Sequence, residues 1–309
     1  MIGLADVRAA ADVIRGRVHR TPMLSSDTLG AHLKAELFQK TGSFKVRGVL
    51  NKLASLTPEE RARGVIGISA GNHAQALAWG AAQQGTDALV VMYRGASGQK
   101  VAATRAYGAA VDVEAADAVE AFARLDRFLE ETGRVLVHPF DDPLVIAGQG
   151  TLGLEIVEDV PDVDTVVVAA GGGGLVSGVA TAVKALRPEV RVVAVEPERS
   201  TALHSALAAG GRVEVRPDSI ADGLSAPHAG RNALEVAQAL GIESVLVSEQ
   251  EIEEAFRFLY ARAKLAVEPA AATAAAPVLA GKVSGSRIVV VVSGGNVSPE
   301  IASAILARR

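Results

Sequence analysis

Lys45 lies in the stretch FQKTGSFKVRG, Phe38 to Gly48, two residues past Ser43 and at the start of a helical pattern. An amine attacks a carbonyl or takes a proton only when neutral, which from a reference pKa near 10.4 asks for a depression of roughly three pH units at neutral pH. The positive end of a helix dipole repels a cation by only about 0.3–1 kcal/mol, less than one such unit. Burial has to supply the rest, and Phe44, Val46 and Val49 are expected to form an apolar wall around the amine. A solvated surface lysine has the same spacing, so this segment alone leaves both readings open.

A second candidate is AAGGGGLVSG, Ala169 to Gly178, which follows a strand pattern and opens a helical one. Backbone N–H groups at a helix start cradle anions, and four glycines let a phosphate approach with no Cβ in the way. A tight strand-to-helix turn is the plainer reading, although one glycine suffices for that. A dinucleotide site also comes into view, because Glu196 ends the next strand where a ribose-binding acid would sit. The spacing fails, since Val176 or Ser177 stands where G-x-G-x-x-G needs its last glycine. No G-x-x-x-x-G-K-[ST] occurs, so a nucleoside triphosphate loop is excluded.

GISAGNH, Gly67 to His73, matches G-x-S-x-G between a strand and a helix, the setting of a hydrolase nucleophile elbow at Ser69. Such an enzyme needs a later histidine, and His138, His204 and His228 are available without an informative context. The same residues, Ser69, Ala70, Gly71, Asn72 and His73, equally suit a carboxylate held by small residues and backbone N–H groups at a helix start. RIVVVVSGGN, Arg287 to Asn296, is an apolar strand ending in Ser293 and two glycines. In an open parallel sheet, ligands bind beyond the carboxyl ends of the strands, so these segments are expected to converge on one crevice.

Strand-like runs such as VIGIS, DALVVMY, DTVVVAA, RVVAVE and RIVVVVS alternate with helical patterns, which predicts an α/β chain with mostly parallel sheets. Thr57-x-x-Glu60 and Ser248-x-x-Glu251 are capping boxes that mark helix starts. Residues 56–141 are expected to form a small domain inserted in a large one made of 1–55 and 142–309. A net charge of -4 without a basic run argues against nucleic acid as a partner. The absence of cysteine excludes disulfides and a thiol nucleophile, and the histidines show no metal-ligand spacing. The one long apolar stretch, Pro269 to Ala280, is too short to span a membrane and holds two prolines. A soluble, cytoplasmic protein is expected.

Taken together, TGSFKVRG, SAGNHAQAL, HPFDDPLVIAGQGT, GGGGLVSG, IADGL and SGGN resemble, in order, the fold-type II pyridoxal-phosphate enzymes of the threonine/serine dehydratase and serine racemase group. The resemblance implies a tryptophan synthase β-like pair of domains and pyridoxal 5'-phosphate as cofactor, held by Lys45 as a Schiff base. It implies that Phe44 lies along the ring and that Asn72 bonds its hydroxyl. Gly171, Gly172, Gly173, Gly174 and Leu175 hold the phosphate in this reading, and Ser293 meets the pyridine nitrogen. Glu268, in VEPAAA, falls near the ring. The implied reaction is α,β-elimination of a β-hydroxy amino acid, L-threonine or L-serine, in a homodimer or higher homo-oligomer. Racemisation and other β-hydroxy substrates, such as 3-hydroxyaspartate, phenylserine or a hydroxyectoine-pathway compound, stay open. Racemases of the group carry a serine where this chain has Ala70, which favours elimination. The segment SAPHAG after IADGL departs from the biosynthetic deaminases, and no acid follows Glu198 in PERSTALH, so no obligatory divalent cation is expected.

Overall fold

The computed structural model describes residues 1–308, arranged around two sheets. Helix α1 (Leu4–Ile14) leads to a short antiparallel pair, β1 (Met23–Ser26) and β2 (Ala31–Ala35), and two 3-10 turns deliver the chain to α2 (Lys45–Ala54). Then follow α3 (Pro58–Arg63), β3 (Val65–Ile68), α4 (Asn72–Gln83), β4 (Ala88–Tyr93), α5 (Gly98–Ala106), β5 (Ala110–Ala115), α6 (Ala118–Thr132) and β6 (Val135–Leu136). The chain continues through α7 (Pro143–Asp159), β7 (Thr165–Ala169), α8 (Gly174–Leu186), β8 (Arg191–Pro197), α9 (Ala202–Ala209) and α10 (Arg231–Leu240). It ends with β9 (Glu243–Val247), α11 (Glu249–Ala261), α12 (Pro269–Leu279), β10 (Ile288–Val292) and α13 (Pro299–Ala307).

One sheet has six strands in the order β1-β2-β10-β7-β8-β9, and the other four in the order β5-β4-β3-β6. Every strand pairing except β1 with β2 is parallel. Parallel strands are stable when both faces are covered, and the valine runs show how. Val167, Val290 and Val292 face a core built with α11 and α12, whereas Val166, Val168, Val289 and Val291 face one built with α7 and α8. The apolar stretch from Pro269 becomes α12, a helix buried against the six-stranded sheet, where alanines allow close packing. Both capping boxes form: the Thr57 hydroxyl accepts from Glu60 N at 3.2 Å, and the Ser248 hydroxyl accepts from Glu251 N at 3.2 Å. No helix among the described residues is long and apolar enough to cross a membrane.

Candidate active site

The sheet order sets β2, β10 and β7 side by side. Their carboxyl ends lead to the lysine segment, to Ser293–Asn296 and to the glycine loop, so one sheet edge collects three of the sequence candidates. The contacts are direct. Phe44 N donates to Ser293 O at 3.1 Å, Gly295 N donates to Gly42 O at 2.9 Å, and Ser43 pairs with Gly294 in an isolated bridge.

Lys45 is the first residue of α2, as its spacing predicts. Its ammonium donates to Pro139 O at 2.6 Å and stands 5.2 Å from the centroid of the Phe44 ring. Burial lowers the Lys45 pKa from its ordinary 10.5 to about 8, while the nearby Glu268 carboxylate works in the opposite direction. Burial is thus the main cause of the depression, as the small size of a helix dipole's repulsion leads one to expect. Phe44 stands against the amine, but Val46 and Val49 pack with Ala74 and Leu77 into the core of the four-stranded unit. Two residues on, Arg47 is 1% exposed and pins the helix from behind. Its guanidinium donates to Glu36 Oε2 at 2.8 Å and to Glu155 Oε1 at 2.7 Å. Lys34, fully buried on β2, bridges Glu155 and Asp159 at 2.8 and 2.9 Å. Removing one partner from such a buried set strands a charge at a cost of about 3–5 kcal/mol, so α2 is held firmly to β2 and α7.

The glycine loop joins β7 to α8, with Gly173 at the N-cap in a left-handed conformation (φ 89°) and no side chain capping the helix. The first backbone N–H groups of α8 therefore have no intrahelical acceptor and suit an anion. The loop is pressed against its neighbours: a Cβ on Gly174 would lie 2.5 Å from Phe140 O, and one on Gly171 2.8 Å from Leu224 O. On Gly172 it would run into the Phe140 ring. Phe140 thus backs the cradle, and the residue before it supplies the acceptor for Lys45. Asp141 completes the strap, accepting from Arg231 N and Asn232 N at 2.9 Å each.

Across from this edge, Ser69–His73 follow β3 and open α4. Asn72 reaches the six-stranded unit, donating from Nδ2 to Glu268 Oε1 at 2.6 Å and accepting at Oδ1 from Asn296 Nδ2 at 2.7 Å. Gly71 borders open space, with nothing within 4 Å of a Cβ built there. The Ser69 hydroxyl accepts from Gly71 N at 3.1 Å. The His73 ring is buried and donates from Nε2 to Val137 O at 2.8 Å; burial pushes its pKa to about 3, so it is neutral. His138 Nδ1 accepts from Asp141 N at 2.8 Å, His204 Nδ1 meets Ser244, and His228 Nδ1 meets Ala229 O. Thus the ring bonds of His73, His138, His204 and His228 go elsewhere than to Ser69, which leaves the hydrolase arrangement unassembled. Glu196 accepts from Leu203 N and His204 N and so ties down the start of α9, away from any ribose-binding role.

A lysine whose ammonium is weakened by burial, set beside a backbone cradle for a phosphate, defines a lysine-centred enzyme built for a phosphorylated carbonyl cofactor. The chain belongs to the family described as pyridoxal-phosphate dependent enzymes, whose pattern matches residues 14–294. Pyridoxal phosphate is its cofactor, and the residues present fit it: a depressed lysine, a glycine cradle at a helix start and Ser293 at the end of β10. The L-threonine ammonia-lyase of Thermotoga maritima is 44% identical over 99% of this chain and 78% of its own length. The catabolic L-threonine dehydratase of Escherichia coli K12 is 39% identical over 96% of this chain and 93% of its own. Among solved structures, maize serine racemase superposes with a TM-score of 0.93 at 36% identity, covering 98% of this chain and 96% of that one. Sequence reasoning overlooked Pro139 O, a backbone acceptor that carries no sequence signal, and gave Asn296 no role although it ends the SGGN motif.

Proposed function

We propose that the enzyme converts a β-hydroxy amino acid, L-threonine or L-serine, to a 2-oxo acid and ammonia. The observation that carries this reading is Lys45, depressed to about 8 and held at Pro139 O beside the glycine cradle. In this reading residues 56–141 act as a small domain over a large one made of 1–55 and 142–309. Gly171–Leu175 grip the phosphate, Asn72 gives a hydrogen bond to the ring hydroxyl, Ser293 meets the ring nitrogen and Phe44 lies along the ring. The start of α4, Ser69–His73, takes the substrate carboxylate on its backbone N–H groups, with the His73 side chain turned to Val137 O. Pyridoxal phosphate, when bound, delocalises the electron pair left when a proton leaves the substrate Cα. Lys45, as a free amine beside the bound substrate, would take that proton. The β-hydroxyl then leaves with a proton as water, and the resulting enamine takes up water to give the oxo acid and ammonia. Water lost is water regained, so the net reaction needs no oxidant.

Ala70 favours elimination over racemisation, because its methyl cannot return a proton to the face opposite Lys45. Assembly as a homodimer or higher homo-oligomer and a cytoplasmic location belong to the same reading. A 2-oxo acid assay over a β-hydroxy amino acid panel tests it, with D-isomer formation followed in parallel. L-Threonine or L-serine should give oxo acid with little D-isomer, and Lys45→Ala should lose both turnover and the borohydride-reducible visible band. Rapid appearance of D-serine, or retention of turnover in Lys45→Ala, rejects the assignment.

A further inference from the structure

Asn296 donates through Nδ2 to two acceptors at once: Thr41 O at 2.7 Å and Asn72 Oδ1 at 2.7 Å. The orientation of this chain of amides follows from one fixed point. Thr41 O is a main-chain carbonyl and can only accept, so the Asn296 atom facing it is the nitrogen. That nitrogen also faces Asn72, whose near atom is therefore the oxygen and whose far atom is the nitrogen. The Asn72 nitrogen meets Glu268 Oε1 at 2.6 Å, which uses one of its two protons. One N–H of Asn72 is left to give.

The surroundings are shaped for this arrangement. A Cβ on Gly42 would lie 2.5 Å from Asn296 Oδ1, and one on Gly294 would press on the Glu268 carboxylate and lie 3.2 Å from Asn72 Nδ2. Gly42 also has φ 74°, and the neighbouring Thr41 adopts φ 58°, a left-handed conformation that is uncommon for a residue with a Cβ. The bond from Asn296 to Thr41 O falls on that turn, four residues before Lys45. The two partners of Asn72 both belong to the six-stranded unit, lying 196 and 224 residues away in sequence. They act on a side chain that begins α4 in the other unit.

We propose that Asn296 is a positioning residue: with Glu268 it locks the Asn72 amide so that a single N–H points outward as a donor, and through Thr41 it ties that donor to the loop carrying Lys45. The inference rests on the reading of Asn72 as the partner of the cofactor's ring hydroxyl. A donor held there stabilises the ring oxygen as an anion, the form that absorbs at long wavelength. An unlocked amide can turn its oxygen to the same place and repel that anion.

The experiment is a double-mutant cycle on the holoenzyme, Asn72→Ala with Asn296→Ala. Its readouts are the ratio of the visible to the near-ultraviolet cofactor band and the dissociation constant of pyridoxal phosphate. Each single substitution should lower the band ratio about tenfold, near the lower end for a hydrogen bond to a charged acceptor. In the Asn72→Ala background, Asn296→Ala should not lower the band ratio further, because its effect on the ring oxygen passes through Asn72; any remaining change in the dissociation constant reads the separate bond to Thr41 O. Additive effects on the band ratio overturn the proposal and leave Asn296 as a packing residue. An unchanged band ratio in Asn72→Ala alone overturns instead the assignment of Asn72 to the ring hydroxyl. The isosteric Asn296→Asp guards against misfolding: it fills the same volume but sets a carboxylate against Asn72 Oδ1, so it should lower the ratio at least as far as alanine does. A wild-type ratio in Asn296→Asp contradicts the lock.

Discussion

Glu268 and Lys45 influence each other across the crevice, and their protons are open to measurement. Burial raises the Glu268 carboxyl from 4.5 to about 7; Asp222 pushes the same way, while the bond from Asn72, Lys100 and Lys45 oppose it. Between those two pH values the folded protein holds a proton that the unfolded chain has given up. Stability therefore falls as pH rises from 4.5 to 7 and levels off above, a loss of about 3 kcal/mol for this group. Glu196, raised to about 8 by burial, adds slope of the same sign. Comparing wild type with Glu268→Gln isolates the one from the other, since Glu196 is common to both. Denaturant unfolding of cofactor-free protein at pH 4.5 and 7.5 should show the wild type losing about 3 kcal/mol more than the variant. Equal losses would contradict a buried, protonating Glu268.

At the scale of elements, the glycine loop and the strap from His138 to Asp142 form one packed unit. Gly172→Ala should drive the Phe140 ring off the loop, costing about 1–3 kcal/mol of stability by overpacking. Because Phe140 follows the carbonyl that holds Lys45, the same change should weaken cofactor binding, and Phe140→Leu added to it should recover part of both losses. Thermal unfolding and fluorescence titration with pyridoxal phosphate read the two effects; full wild-type affinity in Gly172→Ala removes the strap from the site. The loop, the lysine helix and the strands behind them were legible in the sequence because each is a local pattern: a glycine run, the helical run after TGSFK and an unbroken valine run. β1 and β2 were not, since they are four and five residues long and β2 carries the buried Lys34 in HLKAE, which has the look of a polar connection. The Arg47 cluster hid for the same reason. Its charges are matched only by residues from 11 to 108 positions away, and no periodicity marks such a partner. The convergence of the Ser69–Asn72 and SGGN segments and of Glu268 near the ring was expected, but the individual bonds of Asn72 to Glu268 and Asn296 carry no sequence signal.

For the molecule as a whole, the polar links between its two sheet units lie at the crevice. Among the described residues one ion pair joins residues 56–141 to the rest of the chain, Lys100 on α5 with Asp222 on the turn before α10. Both charges act on Glu268, which in turn holds Asn72, so the pair lies beside the other polar links between the units. The Asp222 side chain is 55% exposed, which limits the pair to about 1 kcal/mol, or roughly a fivefold effect on an equilibrium. Lys100→Ala should therefore raise KM by no more than about fivefold at low salt and leave kcat nearly unchanged, because Lys45 and the glycine cradle are untouched. Salt supplies the discriminating measurement. With a screening length of about 3 Å at 1 M, the half-exposed pair is weakened in the wild type, so its KM should climb part of the way toward that of the variant. The reversed pair, Lys100→Asp with Asp222→Lys, should restore the low-salt KM at least in part. A KM difference that persists unchanged at 1 M salt assigns Lys100 to direct substrate contact instead, and no change at low salt shows that substrate binding does not depend on this pair.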